Sequence, residues 1–178
     1  MVRIAVDMDE VIADYVAKEL QVYNQRFGTE YTKADLQGRK LRHLHPEHTG
    51  AIRAFIREED HFADFAVIEG AQEGLRKLAE KHEVYIATAA MEVPTCFNAK
   101  YAWLQTHFAF IPDDNYVFCG DKSIIAADYL IDDHIRHLET FKGTGILFGA
   151  PHNYNETYDI KLNNWQEVVD FFEARYGS

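Results

Sequence analysis

The sequence predicts an α/β fold: a Rossmann-like parallel sheet flanked by helices, with a small helical cap inserted after the first strand. Three features point there. Short β-branched runs alternate with helical stretches, the pattern of strand–helix–strand units in a mostly parallel sheet. Residues able to do chemistry cluster just past the ends of those runs, where open α/β sheets bind ligands. A long, charge-rich section between the first two runs contains no strand.

The first strand spans residues 3–6, an apolar run that stops at Asp7. From Tyr15 to Ile68 the rhythm breaks. Leu20, Tyr23 and Phe27 make one apolar stripe, and Ile52, Phe55 and Ile56 make another. A connection of this size reads as an inserted helical subdomain rather than a loop. The resulting division is a catalytic core of residues 1–14 and 69–178 with a cap of residues 15–68 above Asp7 and Asp9. Further strands are expected at 83–88, 116–119, 129–131 and 145–148, with helices near 73–81, 94–107, 123–127, 135–139 and 164–176. Pro94 suits a first helical turn, where its missing N–H is no loss. Trp165, Val168, Val169, Phe172 and Tyr176 keep near-helical spacing, so the last helix packs one face on the sheet.

A net charge of −11 over 178 residues argues against a nucleic-acid polymer as partner, because phosphate-backbone binding needs clustered Lys and Arg. It leaves room for one small phosphorylated ligand held by a metal and local cations. The two cysteines, Cys96 and Cys119, show no CxxC spacing. No signal-like apolar segment follows residue 6, and no run approaches the roughly 18–20 residues of a membrane span. The expectation is a cytoplasmic protein with no membrane partner; a homodimer is left open.

Four strand ends carry the chemistry. Asp7 and Asp9 stand two apart on extended backbone, so their side chains point the same way and repel unless a cation or shared proton intervenes. That suits a Mg²⁺ site with one carboxylate as nucleophile and the other as acid/base. An acidic loop after a strand would explain the pair equally well by itself. Thr88 ends the second run, where a hydroxyl can hold a phosphate oxygen. Lys122 follows Gly120-Asp121 and can neutralise phosphate. Asp132 and Asp133 end a buried run, where carboxylates cost desolvation energy unless paired or metal-bound. In combination, DxD, Thr, Lys and DD make a phosphate site around one divalent cation.

This order resembles the haloacid dehalogenase-like phosphatase superfamily. Within it the chain is similar to the 5′(3′)-deoxyribonucleotidase family. The likeness rests on Val6-Asp7-Met8-Asp9 with Val11-Ile12-Ala13-Asp14, Lys100-Tyr101-Ala102-Trp103-Leu104, Asp121-Lys122, Leu130-Ile131-Asp132-Asp133, and His152-Asn153. The resemblance implies Asp7 as nucleophile, Asp9 as general acid/base, and Thr88 and Lys122 on phosphate, with Lys100 a further cation. It implies Mg²⁺ held by Asp7, the main-chain carbonyl of Asp9 and Asp133, with Asp132 supporting the metal or orienting Lys122. Tyr15 and Phe62 fall at the cap–core cleft, where they stack a base or pack the core. Several positions depart from the family pattern. Glu10 stands where Gly is usual, and Ala89-Ala90 replace a hydroxyl and Pro. Gly120 replaces Arg, and Arg39, Lys40 and Leu41 follow Gly38 where aromatic residues line the base pocket.

The function expected is Mg²⁺-dependent hydrolysis of (deoxy)nucleoside monophosphates through an aspartyl-phosphate. A phosphatase of another small phosphorylated metabolite is the alternative. A phospho-accepting signalling domain fits poorly, because its acceptor Asp lies on a middle strand and it has no inserted cap. His43, His45 and His48 form a short cluster, but Pro46 breaks helical spacing and no Cys lies near, which argues against a metal site there.

Overall fold

The computed structural model describes residues 1–177. In chain order the elements are β1 (Arg3–Val6), α1 (Tyr15–Phe27), α2 (Leu41–Leu44), α3 (Thr49–Ile56), α4 (Ala71–Lys81), β2 (Glu83–Thr88), α5 (Phe97–His107), β3 (Tyr116–Phe118), β4 (Tyr129–Asp132), α6 (Ile135–Thr140), β5 (Thr144–Phe148), β6 (Lys161–Leu162) and α7 (Trp165–Tyr176). All strand pairings are parallel, in the order β3-β2-β1-β4-β5-β6. Among the described residues no helix is long and apolar enough to cross a membrane.

Strand alternation divides the core between the two faces of the sheet. Ile4, Val6, Ile86, Ile131 and Ile146 face α4, α5 and α7, packing with Leu75, Trp103 and Phe172. Ala5, Ala87, Leu130 and Leu147 face the other way, onto Leu138 of α6 and Phe141. Burial on both faces explains why these strands read as continuous apolar runs. The section between β1 and α4 has its own buried cluster, in which Leu20, Tyr23, Leu36, Leu41, Ile52 and Phe55 meet. Phe62 and Phe65, at its end, join the main core instead.

Apart from shifts of one or two residues at the ends of α4, β3, α6, β5 and α7, four elements differ from the sequence reading. The helix expected at 123–127 is a single 3₁₀ turn, Lys122–Ile124, started by Asp121, whose side chain accepts the Ser123 N–H. Ile124 is exposed, so no apolar face exists to hold a longer helix. Pro94 opens a 3₁₀ turn, Pro94–Cys96, and the α-helix proper begins at Phe97. β4 extends through Asp132, because that residue still pairs with Leu147 of β5. The two-residue edge strand β6 carries too short a pattern to be read from sequence.

Trp165 ties α7 to the loop after β1. Its ring is buried against Gly74, and its Nε1–H donates to the Val11 carbonyl at 2.8 Å. Trp165→Phe keeps most of the ring but strands that carbonyl. The expected cost is about 1–3 kcal/mol, read as a lower urea midpoint at unchanged m-value.

Candidate active site

The register of β1 against β4 sets the site. Val6 pairs with Ile131, so Asp7 and Asp132 emerge side by side at the carboxyl ends. The Asp7 N–H donates to the Ile131 carbonyl at 2.9 Å, the last rung before the chain turns. The Met8 carbonyl then accepts from the N–H groups of Ile12 and Ala13 at 3.0 and 2.9 Å. This tight turn needs a left-handed residue, and Glu10 supplies it with φ = 58°. Glycine would adopt that conformation without steric cost, whereas a side chain is strained there. The compensation is visible: Glu10 Oε1 accepts the Val16 N–H at 2.6 Å, filling an otherwise open donor in the first turn of α1. Asp14 does the same for Ala17 at 3.0 Å. Burial pushes the Glu10 carboxyl up to about 8.

Lys122 lies at the centre and is 1% exposed. Its Nζ donates to Asp7 Oδ1 at 2.5 Å and to Asp132 Oδ2 at 2.6 Å. Burial by itself favours the neutral amine, but the two carboxylates outweigh it and hold the ammonium pKa above its ordinary value. The other Asp132 oxygen accepts the His134 N–H at 2.9 Å, so both its oxygens are engaged.

Asp7, Asp132 and Asp133 each offer a carboxylate oxygen, all within 4.8 Å of one another. Burial first, then Asp132 and Asp7, push the Asp133 carboxyl well above its ordinary range. An all-oxygen set of this kind suits a hard divalent cation, which would relieve that repulsion. Asp133 is also pinned: Asn153 Nδ2 donates to its carbonyl at 2.9 Å, and its Oδ1 meets His134 Nδ1 at 2.8 Å. Lys40 Nζ, from the inserted section, lies 2.7 Å from His134 Nε2. An ammonium can only donate, so Nε2 accepts and Nδ1–H donates to Asp133. Burial, then the charge of Lys40, lowers His134 to about 4, which leaves the ring neutral.

Lys100 of α5 is buried and does more than add positive charge. Its Nζ donates to Asp9 Oδ2 at 2.6 Å and to Thr88 Oγ1 at 2.9 Å, and lies 5.1 Å from the Phe62 ring centroid. Asp9 Oδ1 is buried with no hydrogen-bond partner, a position that suits a proton or a ligand donor.

A cavity of about 540 Å³ opens above these groups, lined by Asp7, Asp9 and Lys122, by Tyr15 and Phe62, and by Arg39 and Lys40. Thr88 and Asp132 lie beneath its surface, and Leu41 is buried among the cap-section residues instead. Tyr15 Oη donates to the buried Glu19 at 3.2 Å. His45, Glu47 and His48 do come together, with His45 Nε2 against the Tyr31 hydroxyl at 2.8 Å and His48 Nδ1 against the Tyr23 hydroxyl at 2.7 Å, and His43 stays apart. Sequence reasoning missed the roles of Glu10, Glu19 and His134, and the presence of Arg42 and Arg53 in the cavity wall. The replacement of Gly by Glu10 was the one available signal.

A family model described as 5′ nucleotidase, deoxy (pyrimidine), cytosolic type C protein matches residues 1–176. A 5′(3′)-deoxyribonucleotidase of Bacillus subtilis is 39% identical over 165 residues, covering 93% of this chain and 95% of that protein. A Staphylococcus aureus protein provisionally given the same name is 46% identical over 169 residues, covering 95% of this chain and 94% of its own. Two solved structures share the fold. A HAD-hydrolase of B. subtilis bound to magnesium has a TM-score of 0.62 at 14% identity, covering 97% of this chain and 98% of that one. A HAD family hydrolase of Deinococcus radiodurans, with bound phosphate and sodium, has a TM-score of 0.63 at 13% identity, covering 98% and 96%.

Glu10 makes a pH prediction. Its folded pKa is raised from 4.5 to about 8, so the folded state holds a proton that the unfolded state releases. Its contribution to stability is complete below 4.5 and is lost as pH rises toward 8. Glu10→Gln keeps the oxygen that accepts from Val16 and cannot ionise. With chelator present, the melting temperature of this variant should exceed that of the wild type at pH 8, and the two should converge near pH 5.

Proposed function

The chain belongs to the 5′ nucleotidase, deoxy (pyrimidine), cytosolic type C family and is a phosphoric monoester hydrolase; from that premise we propose that it hydrolyses deoxynucleoside monophosphates with Mg²⁺ through an aspartyl-phosphate. The observation that carries this reading is the position of Asp7: a strand-end carboxylate clamped by Lys122 through one oxygen, with Asp133 at ligand distance and Asp9 above. On this reading residues 15–68 form the cap, and the cleft beneath it receives the nucleoside with Tyr15 and Phe62 against the base.

The Asp7 oxygen not engaged by Lys122 attacks phosphorus, and Asp9 delivers a proton to the departing sugar oxygen. Asp9, then a base, takes a proton from water, which hydrolyses the aspartyl-phosphate and frees Asp7. Lys100 holds Asp9 through Oδ2, which leaves Oδ1 to carry the proton. Lys122 faces the phosphate oxygens, Thr88 acts from beneath the cavity surface through Lys100, and Asp132, with both oxygens engaged, orients Lys122. Asp7, Asp133 and the Asp9 main-chain carbonyl would hold Mg²⁺, which supplies charge screening so that one anion can approach another.

A screen of 5′- and 3′-nucleoside monophosphates against sugar phosphates, with and without Mg²⁺, tests the reading. Chelation should abolish turnover and added Mg²⁺ should restore it. Asp7→Asn should lose several orders of magnitude, because an amide cannot attack phosphorus; near-normal Mg²⁺-dependent activity would remove Asp7 from this role. Asp9→Asn should lower kcat about 10²–10⁴-fold with KM changed little.

A further inference from the structure

The wall of the cleft carries three cations that no carboxylate among the described residues partners. Arg39, Arg42 and Arg53 all line it, arriving from the turn before α2, from α2 and from α3. Among the described residues, none of the three pairs with a carboxylate. The other lining cations are committed: Lys122 to Asp7 and Asp132, Lys100 to Asp9, Lys40 to His134 and Arg136 to Glu92. Glu19 offers little relief, since burial drives its carboxyl toward the neutral form. Three guanidinium groups along the wall of one cleft leave their donors free for an anionic ligand. Their concentration stands out in a chain of net charge −11.

We propose that Arg39, Arg42 and Arg53 form a second anion subsite, and that the preferred substrate carries two phosphoryl groups on its sugar, as a deoxynucleoside 3′,5′-bisphosphate does. This rests on the nucleotidase reading above and extends it from nucleoside monophosphates to a doubly phosphorylated nucleoside. The planar fork of arginine donates paired hydrogen bonds to phosphate, so three arginines suit a phosphate dianion. Asp7 and Lys122 are buried at the floor, whereas the three arginines are exposed at the rim. That separation in depth favours two phosphates on opposite sides of a sugar over a diphosphate, whose phosphates are adjacent. Hydrolysis consumes one water, breaks one phosphate–sugar ester bond at the floor, and leaves a nucleoside monophosphate and inorganic phosphate.

The test is equilibrium binding to Asp7→Asn protein with Mg²⁺, using thymidine 3′,5′-bisphosphate and thymidine 5′-monophosphate. The bisphosphate should bind about tenfold tighter or more, one tenfold step being what a single charge-assisted contact supplies. Adding Arg39→Gln, Arg42→Gln and Arg53→Gln should bring the ratio close to one. These side chains are exposed and donate no hydrogen bond among the described residues, so an unchanged melting temperature should accompany the loss. A ratio near one before the arginines are replaced overturns the subsite. So does a ratio that the replacements leave unchanged, the result expected if the arginines merely steer any anion. Wild-type phosphate release is read separately: its absence from both ligands, with selective bisphosphate binding intact, overturns the nucleotidase reading and leaves the subsite standing.

Discussion

A buried ammonium between two carboxylates holds this site together. Lys122 is sealed from water, and an unpaired charge there would cost several kcal/mol. Asp7 and Asp132 meet it from two adjacent strands. The same contact restrains Asp7 and Asp132, which would otherwise repel each other and Asp133. One lysine therefore fixes the rotamer of Asp7, aligns the ends of β1 and β4, and leaves Asp133 as the carboxylate whose charge is still to be met. Replacing the triad by apolar residues could yield a fold of equal stability, as buried ion pairs often allow, but it would lack the carboxylate proposed as nucleophile.

The loop after β1 shows a second trade of local strain for position. Residues 7–14 must turn sharply enough to place Asp9 over the strand end, and the left-handed residue in that turn carries a side chain. Glu10 offsets the strain by capping α1, which couples the loop to the first helix of the inserted section. Lys100 then fixes Asp9 from the opposite side, reaching in from α5. The two aspartates thus sit on different cations. Asp7 is held by one from the 3₁₀ turn that follows β3, and Asp9 by one that arises from a helix.

How much of this was legible follows from the range of each interaction. β1, β2 and β4 are apolar on both faces, so their ends could be read and the acidic residues just beyond them placed. Lys122 and the Asp132-Asp133 pair were legible for the same reason. β6 and the 3₁₀ turn after Asp121 were not, because two or three residues carry no period. Lys100 was legible only as a cation, since its pairing with Asp9 joins residues 91 apart in sequence. The contact between Lys40 and His134 spans 94 residues and left no local trace. Arg39 and Lys40, one residue apart, have different fates. Lys40 turns inward to the core, while Arg39 stays at the rim.

That inward turn ties the inserted section to the carboxylates. Lys40 touches His134, and His134 donates to Asp133, so a single chain of contacts runs from the inserted section to the carboxylate cluster. The Gly38 N–H adds a second tie, donating to the Pro151 carbonyl at 2.8 Å. Lifting the insertion away from the sheet must break both, and breaking the first leaves Lys40 without its acceptor and removes its charge from beside Asp133. An anion entering between the two parts would offer Lys40 a better partner than a neutral imidazole does. The position of Lys40 therefore joins the inserted section to the charge balance at the carboxylates.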